Sequence, residues 1–248
     1  MTDTREPVRF MTYNIRHGEG GDERVDLARI AAVIAAAAPD FVALQEVDRG
    51  TVRCGGVDQA AELARLTDMH MRFAKTLDLP GGGEYGIALL SRLPIRETRV
   101  HALPASTGAE PRCALAVRVT LPHATSVWAV CTHLDCGRSP TDSDRARQVA
   151  ALLRLDCGTA AEPALLAGDL NAAPAAPEIE ALAEQWTDCA AAPAAPTFPA
   201  DAPTRRIDYS RCRPASRWRI VASSTVIDER LASDHRPVVA TLTLRGNP

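Results

Sequence analysis

The sequence predicts an α/β chain in which two β-sheets pack together with helices on their outer faces. Three observations carry this reading. Short apolar runs of strand length recur along the whole chain, and segments with helical spacing flank a strand-rich middle instead of alternating with every strand. In addition, 46% of the 248 residues are hydrophobic, ample material for a buried core.

Taken in order, Val8 to Tyr13 alternates as a strand and ends at the polar Asn14. A helix follows, with Asp26 as N-cap, Leu27, Ile30 and Ile34 at helical spacing, and Pro39 as its stop. Phe41 to Leu44 is a short buried strand ending in Gln45-Glu46, and Ala60 to Met69 is a second helix with Leu63 and Leu66 inward. Met71 to Ala74 opens a tract of strands that Gly81-Gly82-Gly83 interrupts and that continues through Ile87 to Leu90, Arg96 to His101, Ala114 to Leu121 and Ser126 to Thr132, ending at His133. Ser143 to Leu155 is helical with Val149, Leu152 and Leu153 inward, and Ala164 to Ala167 is a buried strand that delivers Gly168-Asp169-Leu170-Asn171. Cys189 to Pro203, rich in Ala and Pro, reads as a surface loop because proline lacks the backbone donor a central strand needs. Ile207 to Tyr209, Trp218 to Ala222 and Val238 to Leu244 complete the strands.

A formal net charge of −3 gives no basic face for gripping a nucleic acid backbone, although Arg205-Arg206 and the run from Arg211 to Arg219 can form a local patch. No apolar run is long enough to span a bilayer and residues 1–7 lack the apolar centre of a signal peptide, so a cytoplasmic location without integral membrane association is expected. Seven cysteines, odd in number and without a Cys-x-x-Cys pair, read as reduced thiols. Cys131 and Cys136 lack the second pair of ligands that structural zinc needs. Trp128, Trp186 and Trp218 read as core or loop anchors.

Five strand ends present related chemistry: Asn14, Glu46, His133, Asp169 with Asn171, and Asp234 with His235. Strand ends gather ligands because the sheet fixes positions while loops leave room. Hard oxygens suit magnesium or manganese, and carboxylates with amides and two histidines suit hydrolysis of a phosphate ester. Each residue also has a plainer reading: Asn14 and Asn171 can close turns, Asp169 after glycine is a common turn pair, and Asp208 beside Arg206 can be a surface ion pair. Tyr85 and Arg112 are weaker candidates to line the pocket, Arg112 as a phosphate clamp, against a buried tyrosine and a surface arginine. His17 is a candidate substrate contact near Asn14, and Arg145 with Gln148, three positions apart, reads as a structural pair on the helix.

The motifs Thr12-Tyr13-Asn14-Ile15, Leu44-Gln45-Glu46-Val47, Tyr85 to Arg92, Thr132-His133-Leu134, Gly168-Asp169-Leu170-Asn171, Arg206 to Tyr209 and Ser233 to Val238, in that order, resemble the endonuclease/exonuclease/phosphatase superfamily. The resemblance covers nearly the whole chain, read as one domain over residues 1–248. It implies a four-layer α/β/β/α sandwich, DNase I-like, and Glu46 as principal ligand of Mg2+, or of Mn2+, assisted by Asn14 and Asp234. It further implies that Asp169 positions or activates water, that Asn171 holds that water or a phosphoryl oxygen, and that His133 and His235 contact the scissile phosphate. Asp208 would fix the tautomer of His235. In the DNase-like branch a carboxylate also partners the other histidine, and Glu84 is the nearest candidate for His133. The general base and the number of metals stay open.

The implied activity is metal-dependent hydrolysis of a phosphodiester or phosphomonoester by direct attack of water. With few aromatics (4%) for stacking bases, a phosphorylated small molecule, nucleotide or lipid headgroup is the favoured partner. A nuclease acting on nucleic acid is the alternative, and a non-catalytic binding member of the fold is the second. A monomer is expected.

Overall fold

The computed structural model describes residues 6–137, 143–191 and 193–246. Met1 to Arg5, most of the stretch read for a signal peptide, and residue 192 of the Ala- and Pro-rich segment lie outside the described residues.

Alternation along the apolar runs builds two six-stranded mixed sheets. The first comprises β1 (Val8–Asn14), β2 (Phe41–Arg49), β3 (His70–Asp78), β4 (Glu84–Ser91), β11 (Trp218–Val226) and β12 (Val238–Leu244), in the spatial order β11-β12-β1-β2-β4-β3. The second comprises β5 (Glu97–Leu103), β6 (Arg112–Thr120), β7 (Ser126–His133), β8 (Ala164–Asp169), β9 (Thr187–Asp188) and β10 (Asp208–Arg213), in the order β5-β6-β7-β8-β10-β9. Each sheet is antiparallel except for one central parallel pair, β1 with β2 and β7 with β8.

Successive side chains on a strand point to opposite faces, so each strand feeds two cores. Phe10, Phe41 and Leu89 of the first sheet meet Leu115, Ala129 and Leu165 of the second between the layers. There the Phe10 and Phe41 rings stand edge to face at 6.2 Å, an arrangement that adds about 0.5–1.5 kcal/mol beyond area burial. The outer face of the first sheet carries α1 (Leu27–Ala37) and α2 (Gln59–Thr67), and that of the second carries α3 (Arg145–Leu153) and α4 (Pro177–Ala183). The result is the α/β/β/α sandwich.

Local chemistry sets the helix ends. Asp26 and Asp58 accept hydrogen bonds from Arg29 N and Ala61 N as N-caps, and α1 and α2 stop at Ala38 and Asp68 in the left-handed region. Leu66, expected inward, is exposed, because the buried face of α2 runs through Ala60, Leu63 and Ala64. No pattern in the sequence anticipated α4; it begins on Pro177, whose fixed φ suits a first helical turn, and buries Ile179 and Leu182.

Two further differences bear on function. The strand read as ending at Gln45-Glu46 continues to Arg49, because Val47, Asp48 and Arg49 pair with Gly86, Tyr85 and Glu84 beyond a register shift. Among its described residues the segment read as a surface loop lacks a regular strand but is not superficial. Thr197 and Ala200 are buried, Ala200 N donates to Asp234 O, and Arg236 N donates to Thr197 O.

Candidate active site

Glu46 owes its position to the irregularity in β2. Between Leu44 and Val47, both packed toward the helices, the register shifts and Glu46 takes φ 56°. A bulge re-aims a side chain, and a non-glycine residue in this region stores about 1–3 kcal/mol that the surroundings must hold. Half-buried Glu46 is thereby turned toward β1, where its Oε1 accepts from Asn14 Nδ2 at 2.9 Å.

Asn14 is the hub. Parallel pairing sets it beside Gln45, and alternation places it on the inter-sheet face with Phe10 and Thr12. Its Nδ2 also donates to Asp169 Oδ2 at 3.2 Å and lies 3.4 Å from His235 Nε2, while its Oδ1 accepts from Arg16 N. In this orientation Asn14 is a donor bridging two carboxylates, and its oxygen is taken by the backbone; it is not set as an oxygen ligand.

The second sheet supplies the facing groups. Gly168 lets β8 lie close against β7: a Cβ there would stand 2.0 Å from Thr132 O. That approach sets Asp169 opposite His133 in the parallel ladder and opposite Asp208 in the antiparallel one. Asn171, at φ 51°, curls back so that its N–H donates to Asp169 Oδ1 at 2.9 Å and its Nδ2 stands 3.1 Å from both His133 Nε2 and Leu134 O.

Asp208 holds His235 Nδ1, and His235 Nε2 lies 3.7 Å from Asp169 Oδ2. Burial alone would lower the imidazole, but the carboxylates of Asp208 and Asp169 outweigh it and hold His235 up to about 10, a cation at neutral pH. Burial pushes the Asp169 carboxyl up to about 7 against the pull of His235. Ligating atoms of Asp169, Asp208 and His235 lie within 4.8 Å of one another, with His235 Nδ1 already engaged by Asp208.

His133 has an opposite setting. Arg112 Nη1 stands 3.0 Å from its Nδ1, and Asp169 Oδ2 lies 3.5 Å from its Nε2. Burial, then the charges of Arg112 and His235, hold it well below the usual histidine range.

The partner read for His133 is thus corrected: Glu84, at the start of β4, is paired with Arg49, and a guanidinium occupies the histidine. Asp234 is half-exposed, with its Oδ2 3.9 Å from Arg16 Nε. His17 Nε2 lies 3.5 Å from Glu19 Oε2, and its carbonyl is held by Gln59. Tyr85 is buried, with Glu46 and Arg112 among the charges acting on its hydroxyl. Gln148 is buried and bonds Asp135 N and Pro104 O, while Arg145 pairs with Glu178 at 2.7 Å. Cys131 is buried against Gln45 whereas Cys136 is exposed.

Sequence reasoning gave no role to three residues around the site. Phe198 packs its ring on that of His235, centroids 4.8 Å apart. Thr197 Oγ1 accepts from Ile207 N and Asp208 N, fixing the start of β10, and Ser233 Oγ donates to Asn14 O at 2.7 Å. The Thr-Phe-Pro triplet at 197–199 carried the one available signal, an aromatic inside a Pro-rich tract.

The donor set fits a hard cation. Asp169 and Asp208 flank the His235 ring, Asp234 has Arg16 as its cationic neighbour, and among the described residues no lysine or arginine is hydrogen-bonded or ion-paired to Glu46. An amide NH2 standing between the Glu46 and Asp169 carboxylates occupies the kind of place a cation would take.

A family model described as "Endonuclease/Exonuclease/phosphatase family" matches residues 11–235. Among solved structures, an endonuclease/exonuclease/phosphatase from Beutenbergia cavernae is similar at 33% identity and TM-score 0.84, covering 98% of this chain and 73% of that one. The human Nocturnin catalytic domain with bound sulfate anion (20% identity, TM-score 0.76, 98% and 97% covered) shows the same fold. So does a mannosyl-6-phosphatase from Bacteroides thetaiotaomicron (17% identity, TM-score 0.74, 95% and 99% covered). No curated protein sequence gives a significant match.

Proposed function

The chain belongs to the endonuclease/exonuclease/phosphatase family, and we propose that it is a magnesium-dependent phosphoester hydrolase in which water attacks phosphorus directly. One observation carries the reading: Asn14, Glu46, His133, Asp169, Asn171, Asp208 and His235 converge at one end of the two facing sheets. Glu46 and Asp234, with Asn14 once its amide has turned over, would hold a divalent cation. Such a cation would supply neutralisation of phosphoryl oxygens and a lowered pKa for bound water.

The chain's own groups supply the rest. Asp169, pushed up to about 7 and held by Asn171 N, accepts the proton of the attacking water. His235, held protonated by Asp208, places positive charge beside the developing phosphoryl charge. His133 and Asn171 face the same oxygens as neutral hydrogen-bonding groups.

The favoured substrate is a small phosphoester with a polar leaving group. A cavity of about 580 Å³ beside the site is lined by Ser106, Glu110, Asp135, Asp144 and Arg147, with no aromatic ring among its described lining residues to stack a base. The mannosyl-6-phosphatase in the same fold is consistent with such a substrate.

The test is a panel of sugar phosphates, nucleotides, headgroup phosphoesters and oligonucleotides, with magnesium and with EDTA. Turnover should vanish in EDTA and return with magnesium. Undiminished turnover by Glu46→Ala or His235→Ala overturns the site. Steeply salt-sensitive cleavage of oligonucleotides alone favours the nuclease alternative.

A further inference from the structure

Arg112 is a charged side chain that is only 5% exposed, and its guanidinium turns inward. Nη1 stands 3.0 Å from His133 Nδ1 and 2.9 Å from Glu110 Oε1, so the cation is balanced by Glu110 while it touches the ring. A guanidinium carries five N–H donors, offers no lone pair and does not lose its proton. The nitrogen it faces must therefore present a lone pair. A neutral imidazole has one ring proton, which leaves Nε2 as its bearer.

Nε2 looks toward Asp169 Oδ2 at 3.5 Å, an acceptor for that proton. Asn171 Nδ2, also close to Nε2, has the Leu134 carbonyl at 3.1 Å to take its own hydrogen, so the crowded donors are reconciled. Double protonation would set N–H against N–H at Arg112. His235 is the inverse case, since a carboxylate at its Nδ1 demands a proton there.

We propose that Arg112 is a positioning residue that holds His133 as the neutral Nε2–H tautomer, so that His133 meets the substrate as an uncharged donor through Nε2, whereas Asp208 keeps the ring proton of His235 on Nδ1. The tautomer follows from the contacts alone; only its use toward a phosphoryl oxygen rests on the hydrolase reading. A carboxylate in the place of Arg112 would set the opposite tautomer, and the two sites of imidazole chemistry would become alike.

Long-range proton–nitrogen NMR correlation on the 15N-labelled full chain without metal reads the tautomer directly, with the His133 signals assigned by their loss in His133→Asn. Wild type should give a pyrrole-like Nε2 and a pyridine-like Nδ1. Arg112→Met should release that preference and Arg112→Glu should move the proton to Nδ1. In Arg112→Met kcat should fall about 10–100-fold with KM less affected, the range typical of a group that orients another. A protonated Nδ1 in the wild type overturns the proposal, as does a spectrum unchanged in both variants. Should neither variant fold, the wild-type spectrum decides. The expected tautomer in a protein inactive on every phosphoester would overturn the hydrolase reading and leave the role of Arg112 standing.

Discussion

The carboxylate of Asp208 meets Nδ1 of His235 through both oxygens, at 3.2 and 3.1 Å, with both residues buried. Asp208→Asn keeps an oxygen acceptor but removes the charge that keeps His235 protonated. Turnover should fall about 10²–10⁴-fold, the usual worth of such a proton-handling group, with magnesium affinity nearly intact by calorimetry. Asp234→Asn should weaken magnesium binding instead. Equal loss of affinity in both would show the roles divided wrongly.

Phe198 covers the other side of that imidazole. In Phe198→Ala the ring gains room to rotate away from Asp169, so kcat should drop several-fold, while partial exposure of Phe198 keeps the loss of stability near about 1 kcal/mol. Phe198→Leu, which restores bulk, should recover much of the rate; no recovery would point to the ring face itself.

How much of this was legible in the sequence depends on what alternation can carry. Asn14, His133 and Asp169 each close a largely apolar strand, and the same alternation that buries Phe10, Ala129 and Leu165 aims them between the sheets. Glu46 lies beyond alternation, because Val47 to Arg49 continues the strand and only the bulge explains how the carboxylate reaches Asn14. Thr197 and Phe198 were hidden by the Pro-rich tract around them, whose fold is set by bonds to β10 and to Arg236 and not by any local period. The guanidinium on His133 was hidden too, since tautomer partners meet across strands.

Crowded carboxylates should make the metal-free protein less stable than a charge-reduced variant. Glu46→Gln is expected to raise the Tm in EDTA and to abolish most of the rise that magnesium produces. In the wild type that rise should correspond to about 2.7 kcal/mol at a hundred times the Kd. A magnesium-induced shift unaltered by Glu46→Gln would remove Glu46 from the cation site.

His133 predicts a pH effect of defined sign. Its folded pKa is depressed by burial, Arg112 and His235, with Asp169 and Asn171 facing the ring. The unfolded chain, with an ordinary value near about 6.5, then takes up a proton that the folded chain refuses. Stability from this group is present above that pH and is lost as pH falls below it, at up to about 1.4 kcal/mol per pH unit. Asp169, whose carboxyl is raised, works in the opposite direction, so the measurement is the difference between wild type and His133→Asn in denaturant melts from pH 7 to 5. A difference that is flat with pH would refute it.

Gly168→Ala should be among the most damaging small substitutions, since its methyl would meet the Thr132 carbonyl. Overpacking of this kind costs about 1–3 kcal/mol or more. Separation of β7 from β8 would also part His133 from Asp169, so activity should fall further than stability alone accounts for. A folded, fully active Gly168→Ala protein would contradict the close approach.

The hydrogen-bond hub at Asn14 has a meaning in time as well as in space. Its neighbours lie 32, 155 and 221 residues along the chain at Glu46, Asp169 and His235, and β1 shares its sheet with β12. No early-formed fragment contains the site, because contacts of such sequence separation form only after long loops have closed. A ribosome that has released the first half of the molecule has released Asn14 and Glu46 without His133, Asp169, Asp208 or His235, and the cell meets the whole constellation only once both sheets have closed on each other.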